Sequence, residues 1–420
     1  MKYLSTIFIG LVLTLSLTSS KPEKTYYSER YRPQFHFTPE KNLQTSPNGL
    51  VYYKGEYHMF YQYNPNGNGL GAMHWGHAIS KNLIHWEHYP IALNPDNNSN
   101  NNEKCSILSG SAIVDEKNIF GKQTDDEKTL IAFYTSEKCG QRIAYSTDRG
   151  RTWEKYAENT VIPYDANDDA RDPKVSFYSS DDFLSWEWKS HIPGFNESPD
   201  LIRMQVSNRP EEVKWVLFDG DGSYIIGNFD GETFTPETAK MKSDYGINYF
   251  ATQTWSNIPK EDGRTIQMAW MKDGNYPDMP FNGQMVFPTE LALNKFNFGY
   301  KLTRNPVKEI ELLHGKHIKL VNKNLIPGIK DNPLKKLKGA CYHIIAEFDV
   351  KTADNFGFMI RYGKKDTGTE VLYNVKRQTL SALGITVPLP LVDNKISIEI
   401  LVDRASIEIF ANGGQVAITN

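Results

Sequence analysis

Apolar and polar residues alternate over short stretches along most of this chain, and turn residues interrupt them every few positions. Segments 50–53, 58–63, 129–135, 214–218, 224–228 and 265–271 are rich in aromatic and β-branched residues and read as strands. Asn66-Gly67, Asp230-Gly231 and Asp262-Gly263 mark turns between such segments. Helical periodicity is nearly absent and no strand–helix–strand unit is visible, so the pattern predicts an all-β chain. Around 304–313 the pattern changes, and Lys308 to Leu313 reads as a short helix or connector. Beyond it, 396–400 and 406–410 alternate strictly on either side of Asp403-Arg404, and Asn412-Gly413-Gly414 opens a further turn. Half-buried strands of this kind suit a β-sandwich.

A loose internal repeat refines the first region. Ser80-Lys81-Asn82 leads to Trp86, Ser146-Thr147-Asp148 to Trp153, and Ser179-Ser180-Asp181-Asp182 to Trp186. Each copy offers a Ser and an Asp or Asn to close a hairpin turn, and then a Trp to pack beneath it. Repeats at tens of residues in an all-β chain point to a propeller. Trp86 to Trp153 spans 67 residues but Trp153 to Trp186 only 33, so one blade is expected to be short.

At 420 residues the chain is too long for one ordinary core, and two domains are expected. A formal charge of −3 gives no electrostatic reason to expect nucleic acid or an anionic membrane as partner. Lys2 and an apolar run from Leu4 to Leu17, ending in Thr18-Ser19-Ser20, read as a secretory signal peptide over 1–20. The run is too short to span a bilayer, so the remainder is expected outside the cytoplasm, extracellular or periplasmic. Three cysteines leave at least one unpaired within the chain; Cys105 and Cys139 either bridge neighbouring strands or stay as isolated thiols. No Cys/His spacing suggests a metal site, and no cofactor is implied.

Leu43-Gln44-Thr45-Ser46-Pro47-Asn48-Gly49, Tyr61-Gln62-Tyr63-Asn64-Pro65 and Met73-His74-Trp75-Gly76-His77-Ala78 resemble the opening blocks of glycoside hydrolase family 32, the invertases, inulinases and levanases. Ser109-Gly110-Ser111-Ala112, Arg171-Asp172-Pro173, Glu197-Ser198-Pro199-Asp200-Leu201, Thr252 to Pro259 and Asp403 to Glu408 follow in the family's order. Taken singly, Arg-Asp-Pro is a common turn and a Glu before Ser-Pro-Asp a loop residue; their order gives the resemblance its force. It implies a five-bladed β-propeller over 21–303, one blade shortened, a connector over 304–318, and a β-sandwich over 319–420 that stops before the family's final strands.

The resemblance also implies retaining hydrolysis of fructans or sucrose by two carboxyl groups. Glu197 falls at the acid/base position, where partial burial and carboxylate neighbours are expected to hold its proton. Asp172 falls at the transition-state stabiliser, paired with Arg171 on the fructosyl hydroxyls. Gln62, Trp75 and Ser109 are expected to line the pocket. The nucleophile position carries Ser46 in place of the family's Asp. Thr45, Leu43, Leu70, Asn248 and Ser198 depart from the pattern around it, and about two strands are missing between Val175 and Phe177. A serine is uncharged and one atom shorter, and no adjacent base activates it. Two outcomes are therefore weighed: a crippled β-fructosidase, and an inactive relative that only binds fructan. A sialidase-like or adhesive propeller sharing the turns by convergence is disfavoured by the motif order.

Overall fold

Every predicted strand is present in the computed structural model, which describes residues 26–97, 104–164, 174–195, 197–326, 332–335, 337–363 and 367–420. The expected leader at 1–20 lies outside these residues, as do Arg171 and Asp172. One strand is longer than its sequence suggests. The predicted strand covers 50–53, yet the strand runs Asn42–Tyr53, with irregularities between Gln44 and Pro47 and between Asn48 and Val51. Pro47 has no N–H for a regular ladder, and bulging lets the strand pass through it.

The first sheet orders Asn42–Tyr53, Glu56–Asn64, His74–Ser80 and Trp86–Leu93, with Phe281–Asn282 joining the first strand in parallel. The second holds Ile107–Val114, Leu130–Ser136, Gly140–Ser146 and Glu154–Lys155. The third has two strands, Lys174–Ser179 and Glu187–Pro193, in keeping with the short repeat spacing. A nine-stranded sheet follows, made of two antiparallel units that meet where Val206 pairs with Leu293. These sheets make the β-propeller. Two four-stranded sheets, one built on Lys395–Val402 and the other on Thr369–Asn374, make the C-terminal β-sandwich. Ile396, Ile398 and Ile400 face Val371, Tyr373 and Leu380 in its core, as strict alternation requires.

The repeated turns have one construction. Asn82 Oδ1 accepts the backbone N–H groups of Ile84 and His85, and Asp182 Oδ1 those of Leu184 and Ser185. In the remaining copy Asp148 Oδ1 accepts the Thr152 N–H. The Trp that ends each turn donates its indole N–H three residues back, Trp86 to Leu83 O, Trp153 to Gly150 O and Trp186 to Phe183 O, at 2.9, 3.1 and 2.9 Å. Thus fixed, each ring leans on another sheet. Trp153 of the second sheet meets Phe60 of the first at 5.1 Å, and Trp186, ending the third sheet's hairpin turn, meets Phe133 of the second at 5.7 Å. Trp86 of the first lies 6.1 Å from Trp255, at the end of Tyr249–Thr254. The turns therefore fasten sheet to sheet as well as closing hairpins.

Strand Gly299–Pro306 carries the propeller ladder past the expected boundary at 303, because Pro306 still pairs with Thr289. A 3₁₀ helix, Lys308–Leu313, follows, and Val307 and Ile310 are buried in the propeller core. The first sandwich strand begins at Tyr342. Cys105 and Cys139 form a disulfide, and Cys341 is free.

The two domains share a buried ionic seam. His36 Nδ1 lies 2.8 Å from Asp403 Oδ2, and its Nε2 lies 3.6 Å from Glu408. Asp403 also accepts the N–H groups of Gln34 and Phe35, and Glu408 that of Phe287. At the other end Asp244 binds Arg304 and accepts from the Thr419 hydroxyl, while Tyr245 N–H donates to Ala417 O. Burial alone would depress the His36 imidazolium, but its bonds to Asp403 and Glu408 outweigh burial and push it up to about 9. A raised histidine stabilises the fold fully below its ordinary value near 6.5, and loses that contribution as pH climbs through about 9. The melting temperature is therefore expected to fall between pH 7 and 10 in a thermal scan. His36→Asn should flatten that slope while costing about 3–5 kcal/mol at neutral pH, since two buried carboxylates lose their counter-charge.

Candidate active site

Several of the family motifs meet on neighbouring strands, Asn42–Tyr53, Ile107–Val114 and Tyr249–Thr254. Ser46 sits in the bulge after Gln44, half-buried, and its carbonyl accepts the Asn48 side-chain amide at 3.0 Å. Gly49 follows with φ +53°, and a Cβ there would stand 2.7 Å from the Phe60 ring. Asn48 Oδ1 accepts the Gly110 N–H at 3.2 Å, and the Gly110 carbonyl accepts the Gln253 amide at 2.9 Å. Gln253 Oε1 in turn accepts the Leu50 N–H at 3.1 Å. Three inner strands, Asn42–Tyr53, Ile107–Val114 and Tyr249–Thr254, are thereby stitched around one residue, Gly110.

Ser109 hangs from that stitch, and its Oγ lies 3.3 Å from Ser198 Oγ, beside Glu197. The Glu197 bend is anchored from behind by Asp219, whose Oδ1 accepts the N–H groups of Glu197 and Gly220 at 3.2 and 2.7 Å. Lys240 pairs with the other oxygen of Asp219. Ahead of the bend, Asp200 Oδ2 accepts both the N–H and the hydroxyl of Thr254 at 2.8 Å each. Burial pushes the Asp200 carboxyl up to about 6, against the pull of those two bonds.

The structure thus brings Ser46, Ser109 and Glu197 onto one connected frame. Gln62 joins them through Thr45, whose hydroxyl donates to Gln62 Oε1 at 3.3 Å. Two expectations are corrected. Trp75 is 0% exposed, donates its indole N–H to Leu108 O at 2.8 Å and packs on Phe60, so it supports the wall behind Ser109 instead of touching sugar. Glu197 is exposed, not partly buried; its backbone N–H is held by Asp219. Asp172 and Arg171 lie outside the described residues. Leu70, where the family carries a second pocket Trp, is 86% exposed, and Asn248 is tied to Lys272 O. Asp219, Lys240 and Asn48 escape the sequence reading: Pro47-Asn48-Gly49 and Asp219-Gly220 both resemble ordinary turns. Among the described residues no cluster of His, Cys, Asp and Glu is arranged to hold a metal ion.

The description of the glycosyl hydrolases family 32 N-terminal domain matches residues 36–178 and 174–306, and that of the family's C-terminal domain matches 309–420. The chain belongs to glycoside hydrolase family 32. A levanase of Bacillus subtilis (strain 168) is 39% identical over 478 aligned positions, covering 99% of this chain and 69% of the relative. A levanase of Bacillus sp. (strain L7) is 32% identical, and this chain, covered over 95% of its own length, spans half of that protein's. Among solved structures, an exo-inulinase from Aspergillus awamori superposes with a TM-score of 0.79 at 26% identity, over 94% of this chain and 93% of that one. The alignment of 478 positions exceeds the 420 residues present, so this family 32 chain lacks sequence that the B. subtilis levanase has. The two N-terminal matches overlap at 174–178, on the first strand of the two-stranded third sheet.

Asp200 gives the frame a measurable pH signature. An aspartate raised in the folded state favours folding while protonated and loses that advantage as pH rises through about 6. Asp200→Asn keeps an acceptor for Thr254 but has no charge to bury. Its melting temperature relative to the parent should therefore climb between pH 4 and 7; a pH-independent offset would show that the buried charge is not what strains this position.

Proposed function

We propose that this protein is an exported β-fructoside-binding member of family 32 whose hydrolytic step is crippled at Ser46. The leader-like segment 1–20 supports export. The levanase and exo-inulinase relatives support fructans as the ligand, with sucrose as the smallest of the class. In a retaining reaction one carboxylate attacks the anomeric carbon and a second group protonates the leaving oxygen. Glu197 takes the acid/base role, and Asp172 with Arg171 grips the fructosyl hydroxyls. Gln62 and Ser109 border the ring. Ser46 stands where attack must originate.

The observation that carries this reading is the position of Ser46, built into the inner-strand bulge and joined through Asn48 and Gly110 to Ser109. A scaffold so arranged presents the sugar's anomeric carbon to a neutral hydroxyl. Its strand neighbours Thr45, Pro47 and Asn48 are not bases, so that hydroxyl stays protonated and weakly nucleophilic. Loss of a nucleophile costs about 10⁶ in rate in a well-studied hydrolase, on the order of 8 kcal/mol of barrier. A purely binding protein is the limiting case of the same reading.

Release of fructose from sucrose, inulin and levan tests it. The parent protein is expected to turn over slowly or not at all. Ser46→Asp should raise the rate by ~10² or more, a fraction of the loss a missing nucleophile causes. Robust turnover by the parent, abolished in Glu197→Gln, would overturn the claim that Ser46 disables the site.

A further inference from the structure

The substitution at Ser46 removes a charged group without collapsing the strand that carried it. Asn48 Nδ2 holds the Ser46 carbonyl at 3.0 Å, so the backbone is fixed by a contact that does not involve the Ser46 side chain. Pro47 and Gly49 flank Asn48, and Gly49, with φ +53° and close to Phe60, ties the local path to the core. The Thr45 hydroxyl is engaged with Gln62 at 3.3 Å. At the rim Leu70 is 86% exposed and Glu197 is exposed, so neither closes the approach. A carboxylate replaced by a hydroxyl leaves this place two heavy atoms and one negative charge short.

We infer that a small monovalent anion, azide or formate being the simplest, can enter beside Ser46 and act as the nucleophile that the side chain no longer supplies. The inference rests on the β-fructoside reading of the site. The chemistry balances without any redox partner. Glu197, as the acid, gives its proton to the glycosidic oxygen as the C2–O bond breaks, and the bonding electrons leave with that oxygen. The terminal nitrogen of azide forms the new bond to C2 from the opposite face. Sucrose would yield glucose and a fructosyl azide of inverted configuration. Formate would yield a fructosyl ester, which water cleaves with Glu197 accepting the proton, and the formate is regenerated.

The small change in volume limits which anions qualify. Linear azide and planar formate match the missing carboxylate in size, whereas sulfate is tetrahedral, larger and a poor nucleophile. Rate rescue should therefore follow ion shape and nucleophilicity, not ionic strength.

The purified full chain is incubated with sucrose in azide, formate, sulfate or chloride; glucose is assayed, and the sugar products are identified by mass spectrometry. Calorimetric titration with inulin runs in parallel. Azide is expected to raise glucose release by more than ~10-fold, ~1.4 kcal/mol off the barrier, with a fructosyl azide in equal amount, and sulfate and chloride to do nothing. Ser46→Asp should release fructose without azide and form no adduct. Inulin binding without any azide adduct would overturn the anion slot and leave the β-fructoside reading standing. Absence of inulin binding would overturn both. Azide-independent turnover by the parent at the Ser46→Asp rate would also overturn it, because the site would then own a nucleophile.

Discussion

The backbone of Gly110 is the point on which this site depends. Its N–H goes to Asn48 of the first sheet and its carbonyl to Gln253 of the last, so one residue of the second sheet is shared by two others. A backbone polar group turned away from water must be satisfied or it costs free energy comparable to a lost hydrogen bond. Here the satisfaction comes from side-chain amides across sheet boundaries, where ladder bonds cannot reach. No other residue fits: a Cβ at Gly110 would stand 2.2 Å from Phe133 O and 2.8 Å from the Trp75 ring. Ser109 and Ser46 are tied to this stitch, Ser198 touches Ser109, and Glu197 beside it is held by Asp219.

Two further layers of fastening surround that centre. On the outside, each turn Trp is locked by a hydrogen bond within its own turn and pressed on a ring of another sheet. This explains how a sheet of two strands is tolerated. The third sheet keeps its turn Trp, and its inner face packs Val175 and Ile192 with Phe195, Leu217 and Phe234. Beneath, the sandwich is coupled by buried charges, with His36 between Asp403 and Glu408, and Asp244 between Arg304 and Thr419. The outer edge of the last strand, Val416–Thr419, is met by the 244–248 segment of the propeller. The described scaffold therefore holds sandwich to propeller, and the sheets that carry a turn Trp to their neighbours.

Much of this was legible in the sequence because the signals are local. Alternation marks the strands at 396–400 and 406–410, and the Ser, Asp and Trp of each repeat sit within eight residues of one another. What the sequence hides depends on distance or on context. His36 and Asp403 are 367 positions apart, and nothing near either announces the pair. Residues 46–49 contain Pro-Asn-Gly, which favours a turn, and only the pairing of Asn42–Tyr53 with Glu56–Asn64 forces them into a strand. An aromatic beside two histidines suits a sugar platform as well as a core, and the packing around Trp75 decides for core. The Glu197 backbone is held by Asp219, a contact across 22 residues that motif order does not reveal.

The central claim is that a family 32 fold whose third propeller sheet has only two strands, with a serine at position 46, is an intact receptor for fructan. Scanning calorimetry of the full chain with and without inulin at neutral pH measures this directly. The account predicts a single cooperative transition, because the buried seam couples propeller to sandwich, and a melting temperature that rises with inulin concentration as ligand binding to the native state requires. Separate or absent transitions, or a melting temperature indifferent to inulin, would contradict it.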